Sequence, residues 1–293
     1  VIITRQKKYY TNKKLSYWKE KLKDYDYFAQ PHYSYLVNLR YVSDFNKTQL
    51  NINIDLRSET LPISQRNYSN FKKAYFAYIG VYTICYAFIF LAEILISLFY
   101  FENKFERKSS KKFLLFSVVI VYVLLYLSRL LNLTLVNLIA FFACNFFLLY
   151  FCYFISVKSC IFHCSILLIF MAITESIVMF VSTVLFGTDL FTCLDNSLSL
   201  IIQSTISKLL YFLIIYFVSK FSIKEHKSES YSLSIPLLVF PASSILLLYA
   251  VSYALHNFDL EQKYMYLLII SIVLLLFSNI AVFWVYEFTL KTQ

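Results

Sequence analysis

The chain has 293 residues, of which 59% are hydrophobic and 20% aromatic, with 30 Phe and 26 Tyr, while 15% are charged. Soluble domains carry roughly 25% charged residues, so a wholly soluble or disordered chain is excluded, and the scarcity of Gly and Pro, 2 and 4, excludes a collagen-like or turn-rich all-β chain. The net charge of +10 is uneven: residues 1–75 hold 14 Lys/Arg against 6 Asp/Glu, and residues 76–293 hold 13 against 11. A basic N-terminal quarter suits a polyanion, either nucleic acid or an anionic lipid surface.

Residues 1–75 read as a small, mostly β (α+β) segment. Val1 to Thr11 is β-rich, and Lys13 to Lys23 places Leu15, Trp18 and Leu22 on one face of a short helix. Extended chain follows from Tyr33 to Phe45. Gln49 to Leu56 alternates Ile52 and Ile54 against Asn, and Thr60 to Ile63 completes a hairpin with it. Ser64 is placed as the N-cap of a helix running through Tyr68, Phe71 and Lys72.

Residues 76–293 read as an all-α polytopic bundle of six to seven helices, because about 20 apolar residues span the hydrocarbon core. The candidate spans lie near 76–100, 113–131, 133–156, 160–186, 197–219, 232–254 and 265–288. The second and third are separated only by Arg129 to Asn132 and form a tight hairpin; Pro236 and Pro241 predict a kink in the sixth. Short cytoplasmic loops are rich in Lys/Arg. The connections 101–112 (Lys104, Arg107, Lys108, Lys111, Lys112) and 220–231 (Lys220, Lys224, Lys227), with Lys158, are therefore expected inside. The acidic or mixed connections near 187–196 and 255–264 are expected outside, which makes this a multi-pass cell-membrane protein with a cytoplasmic C-terminus. The first span then conflicts with the rest, since one crossing at 76–100 places residues 1–75 outside, away from any DNA.

Two side-chain groups carry chemistry in this half. Cys160, His163 and Cys164 have metal-ligand types at helical spacing, but no second cluster completes a zinc site, so the three read as ordinary membrane-helix residues. All six cysteines, Cys85, Cys144, Cys152 and Cys193 included, read as small buried hydrophobes, and no metal or cofactor is expected. Glu175 and Lys208 lie near the middles of the fourth and fifth spans. A lone charge there costs about 2.5–3.5 kcal/mol on insertion scales, so either the two pair, or Lys208 snorkels or lines a wet cavity alone while Glu175 is protonated.

The run Phe28, His32-Tyr33-Ser34-Tyr35-Leu36-Val37-Asn38-Leu39, followed by Leu61-Pro62-Ile63-Ser64-Gln65-Arg66 and Tyr68, resembles the C-terminal two thirds of a LytTR-type DNA-binding domain. That resemblance implies a mostly β fold that inserts loops into successive major grooves. It places Tyr33 at a groove contact after the His and Arg66 at a base-contacting Arg, with Gln65 and Asn67 in reach of phosphate or bases, and it leaves the family's first strands outside this sequence. From about residue 85 onward, Ala92-Glu93, Glu106-Arg107-Lys108, Ser207-Lys208-Leu209-Leu210, and Asn279 with Tyr286 resemble the polytopic sensor of an AgrC-like (GHKL-type) histidine kinase. This second resemblance implies a peptide pheromone as ligand and a homodimer formed through the membrane domain. It places the phosphoacceptor and ATP-binding parts beyond Gln293, so no enzyme activity is expected of this polypeptide.

The leading reading is a two-component, quorum-sensing type protein: a DNA-binding transcription-regulator segment fused to a membrane peptide sensor lacking its kinase domain, with DNA, membrane lipids and a peptide as partners. The competing readings are a receptor module with a vestigial N-terminal segment, produced by fusion or readthrough of neighbouring frames, and a small transporter. Few glycines argue against the broken helices that transporters use.

Overall fold

The computed structural model describes residues 2–3, 8–23, 25, 27–54, 57–130, 134–186, 197–222, 235–257 and 262–292. The chain divides into two compact units, with a boundary between Cys85 and Tyr86.

In the first unit, β1 (Ile2–Ile3) pairs antiparallel with β2 (Lys8–Tyr9), and α1 spans Leu15–Lys21. Next come β3 (Phe28–His32) and β4 (Tyr35–Asn38), an antiparallel hairpin, then a 3-10 turn at Leu39–Tyr41. Three further strands, β5 (Val42–Phe45), β6 (Gln49–Ile54) and β7 (Arg57–Pro62), form an antiparallel sheet in the order β5-β6-β7. Local side-chain bonds fix the turns. The Asn46 carboxamide oxygen accepts from the backbone of Thr48 and Gln49, both at 2.8 Å, and that of Asn38 accepts from Arg40 at 3.0 Å, the usual work of Asn in tight turns.

Alternation along β6 then sorts the faces. Leu50 and Ile52 are buried, while Asn51 bonds Asp44 on β5 (2.6 Å) and Thr60 on β7 (2.7 Å), so one face supplies core and the other a polar ladder across all three strands. The core gathers Tyr27, Val37, Leu39, Leu50, Ile63 and Phe71. Phe45 meets Phe71 and Tyr75 edge-on at 5.2 and 5.0 Å, which packs the first turns of the following helix against the sheet.

That helix, α2, runs unbroken through Gln65–Lys104. The short helix after Ser64 and the first apolar span, separate elements in the sequence reading, are one element, because the 40 residues contain no Pro and a single Gly, Gly80. At 1.5 Å per residue it rises about 60 Å, twice the hydrocarbon thickness. Ser64 takes the N-cap place differently from expectation. Its carbonyl accepts from Asn67 and Tyr68 at 3.0 Å each, but its hydroxyl turns to the carbonyl of Pro31 at 3.4 Å.

The second unit holds α3 (Lys111–Leu130), α4 (Thr134–Cys152), α5 (Val157–Phe186), α6 (Ser197–Phe221) from Ile201 onward, α7 (Ile235–Asn257) and α8 (Gln262–Thr292). Among the described residues six helices, α2 to α6 and α8, are long and apolar enough to cross a membrane, and α7 offers a shorter apolar stretch, Val239–Val251. Pro236 falls in the first turn of α7, where its missing N–H costs nothing, and Pro241 lies inside the helix. The expected sidedness of 187–196, 223–231 and 258–261 falls outside the described residues.

Helix α5 is the axis of this unit. Phe162, His163, Cys164, Ile166, Leu167, Ile169 and Phe170 are fully buried, and α4, α7 and α8 pack around it. At one end the backbone of Lys108 donates to Cys152 and that of Phe154 to Glu106, both at 2.9 Å, so connections 105–110 and 153–156 share that end. Lys104 corrects the loop-charge reading. It is a fully buried residue in the last turn of α2, bonded at 2.5 Å to Glu287 near the end of α8. Glu287 also accepts from Ser222, just past α6, at 3.3 Å, so the C-terminal ends of α2, α4, α6 and α8 gather together.

Candidate nucleic-acid face and intramembrane charge cluster

The candidate DNA contacts converge from two elements of the first unit. Tyr33 sits in the β3–β4 turn with 76% of its surface exposed, its ring 4.2 Å from that of His32. His32 Nδ1 lies 2.6 Å from the Ser34 hydroxyl and the Gln30 amide donates to the Tyr33 carbonyl at 3.3 Å, so the turn is braced from within. Gln65 and Arg66 are exposed in the first turn of α2, with Asn67 half-buried beside them.

The two pieces are tied through β3 and β7. Backbone Ser64 donates to the Pro31 carbonyl at 3.0 Å, and the Tyr35 hydroxyl donates to the Pro62 carbonyl. Burial pushes the Tyr35 phenol up to about 12, which keeps it a donor. These bonds tie the strand before the exposed Tyr33 ring to the residue before α2, whose first turn carries the Arg66 guanidinium and amide side chains and no acidic residue. A helix N-terminus favours phosphate; Arg reads guanine bidentately, and an aromatic face stacks or makes one hydrogen bond. His32, Ser34 and Asn38 are occupied within the fold, each bonding its own turn.

The second cluster lies among the apolar helices. Lys208 of α6 bonds Glu175 of α5, and also Glu93 of α2 at 2.6 Å. The side chains of Lys208 and Glu93 are 8% and 6% exposed, that of Glu175 47%. The structure thus brings together the two residues singled out in the sequence and adds a third. In the sequence Glu93 stands only as part of the Ala92-Glu93 motif; its signal is an acid inside an apolar span, which by itself marks a functional position.

A further network was missed. Tyr100 contacts His163 Nδ1 at 2.7 Å, Tyr286 lies 3.3 Å from His163 Nε2, and Ser159 lies 2.9 Å from the Tyr286 hydroxyl. Both ring nitrogens of His163 are therefore engaged by phenols of α2 and α8 rather than by Cys160 or Cys164. Among the described residues no group of three His, Cys, Asp or Glu side chains is placed to hold a metal ion. Outside the spans, Arg107 bonds Glu102, which raises the guanidinium further, and burial, followed by Glu102 at 2.8 Å, raises the Tyr153 phenol.

Residues 1–75 match the family model of the LytTr DNA-binding domain. The N-terminal quarter is thus a LytTR DNA-binding domain, a match that implies DNA binding, and the apolar helices that follow imply contact with a membrane. No curated protein and no solved structure matches the chain.

Proposed function

We propose that the chain is a membrane-tethered transcription regulator of the two-component, quorum-sensing type, in which the LytTR segment reads DNA and the helices form a peptide-sensing module that pairs with a second copy. The observation that carries the DNA half is the exposed Arg66 at the start of α2, held beside the Tyr33 turn by the Ser64–Pro31 bond in a segment matching a DNA-binding family. The sensing half is supported by the resemblance of residues 85–293 to a polytopic kinase sensor and by buried polar clusters, which are costly among apolar helices and mark functional positions there.

In this reading residues 1–75 are cytoplasmic, and a single crossing by α2 puts connection 105–110 on the outer side. Lys104 is consumed by Glu287 and Arg107 by Glu102, while Arg66, Lys72 and Lys73 flank the other side of the apolar stretch. A second reading is favoured by Arg107, Lys108, Lys111 and Lys112, from the end of α2 to the first turn of α3. They orient that connection, and with it the end of α8, to the cytoplasm, and the chain is then a membrane receptor module. Labelling of Ser110→Cys with a membrane-impermeant maleimide, in intact cells and without the native cysteines, separates the two. Labelling from outside supports the DNA reader; labelling only after permeabilisation supports the receptor module.

A further inference from the structure

Glu93 and Glu175 supply two carboxylates, each in contact with the one ammonium of Lys208. Fully ionised, the three carry a net charge of −1 among apolar helices, and a buried net charge is lost preferentially by taking up a proton. Two more buried polar groups stand beside the cluster. Ser97 is one turn from Glu93 on α2, and Tyr211 is one turn from Lys208 on α6. Both are fully buried, and the two hydroxyls act on each other. Tyr211 lies in the field of both Glu93 and Glu175, with Cys164 of α5 as a further titratable neighbour.

We propose that Glu93, Glu175 and Lys208 form a binding site for one exchangeable proton within the membrane domain. A proton from water adds to one carboxylate oxygen, giving a carboxylic acid; no other bond breaks, and the cluster passes from −1 to neutral. Lys208 contacts both carboxyls, so one carboxyl can hold the proton while the other keeps the ion pair. Release exposes an extra negative charge between α2, α5 and α6, which couples the packing of these three helices to proton occupancy. The site uses only the membrane helices and stands whether or not residues 1–75 read DNA.

The charge count makes the test specific. With the full chain in lipid nanodiscs, infrared difference spectra report the C=O stretch of protonated carboxylic acids across a pH titration. Wild type should show one cluster acid that disappears as pH rises. Glu93→Gln and Glu175→Gln should each show none, because a neutral pair remains, and Lys208→Met should show two. The isosteric Gln variants keep the claim falsifiable even where Lys208→Met does not assemble. Identical acid bands in wild type and both Gln variants at every pH would overturn the proposal. So would a wild-type band abolished by sodium ions at constant pH, which would assign the neutralising charge to a metal cation.

Discussion

At the scale of single residues, the chain places its ionisable groups in pairs that the sequence reveals only in part. Lys104 and Glu287 stand 183 positions apart and bond at 2.5 Å with almost no exposure. Breaking a buried pair leaves an uncompensated charge and costs about 3–5 kcal/mol, whereas replacing both partners by apolar groups is often neutral. Lys104→Met and Glu287→Leu should therefore each lower the thermal unfolding midpoint of the purified chain, and the double variant should recover most of the loss. Additive losses would mean that the two residues act separately. Lys104 was read as a loop charge because composition cannot distinguish the last turn of a helix from the connection after it. Glu175 and Lys208 were legible together because each is a lone charge in mid-span. Glu93 was legible as an intramembrane acid, but its partner was not, since depth along α2 depends on where that helix begins.

Elements form where local rules agree. The β5-β6-β7 sheet follows from alternation and Asn turns, both readable in sequence, and the β6–β7 hairpin falls where the alternation places it. The extent of α2 was not readable in the same way: a polar first part and an apolar second part looked like two elements, yet nothing between them stops a helix. Gly80 has open space where a Cβ would stand. Ala in place of Gly stabilises a helix interior by about 0.5–1 kcal/mol, so Gly80→Ala should raise the unfolding midpoint slightly; a fall would show that α2 bends there in use. The Tyr35 bond to Pro62 joins the β3–β4 turn to the end of β7. With its phenol raised from 10.0 to about 12 in the folded state, its contribution is complete below pH 10 and is lost as pH rises toward 12. Tyr35→Phe should thus reduce stability at neutral pH by about 0.5–1.5 kcal/mol and remove part of the alkaline loss seen in wild type. An unchanged alkaline profile would assign that loss to other phenols.

The whole molecule joins a LytTR segment of about a quarter of its length to a set of long apolar helices, and in the proposed reading the first part reads DNA while the second holds it at the membrane. Composition separates the N-terminal quarter from the rest, and the His32 to Asn38 and Leu61 to Arg66 runs mark that quarter as LytTR-like. The function of the second half rests on weaker motifs, because apolar helices satisfy similar lipid-facing constraints in many membrane proteins and only their buried polar contacts distinguish them. The direct measurement is DNA binding by the full chain in lipid nanodiscs, followed by fluorescence anisotropy on a duplex selected from a random pool and on an unrelated duplex, for wild type and Arg66→Ala. Wild type should prefer the selected duplex, with affinity falling as salt rises. Arg66→Ala should lose about 1–3 kcal/mol on the selected duplex while keeping its weak binding to the other. An equal loss on both would make Arg66 a phosphate contact, and absence of any DNA binding by wild type at low salt would contradict the account.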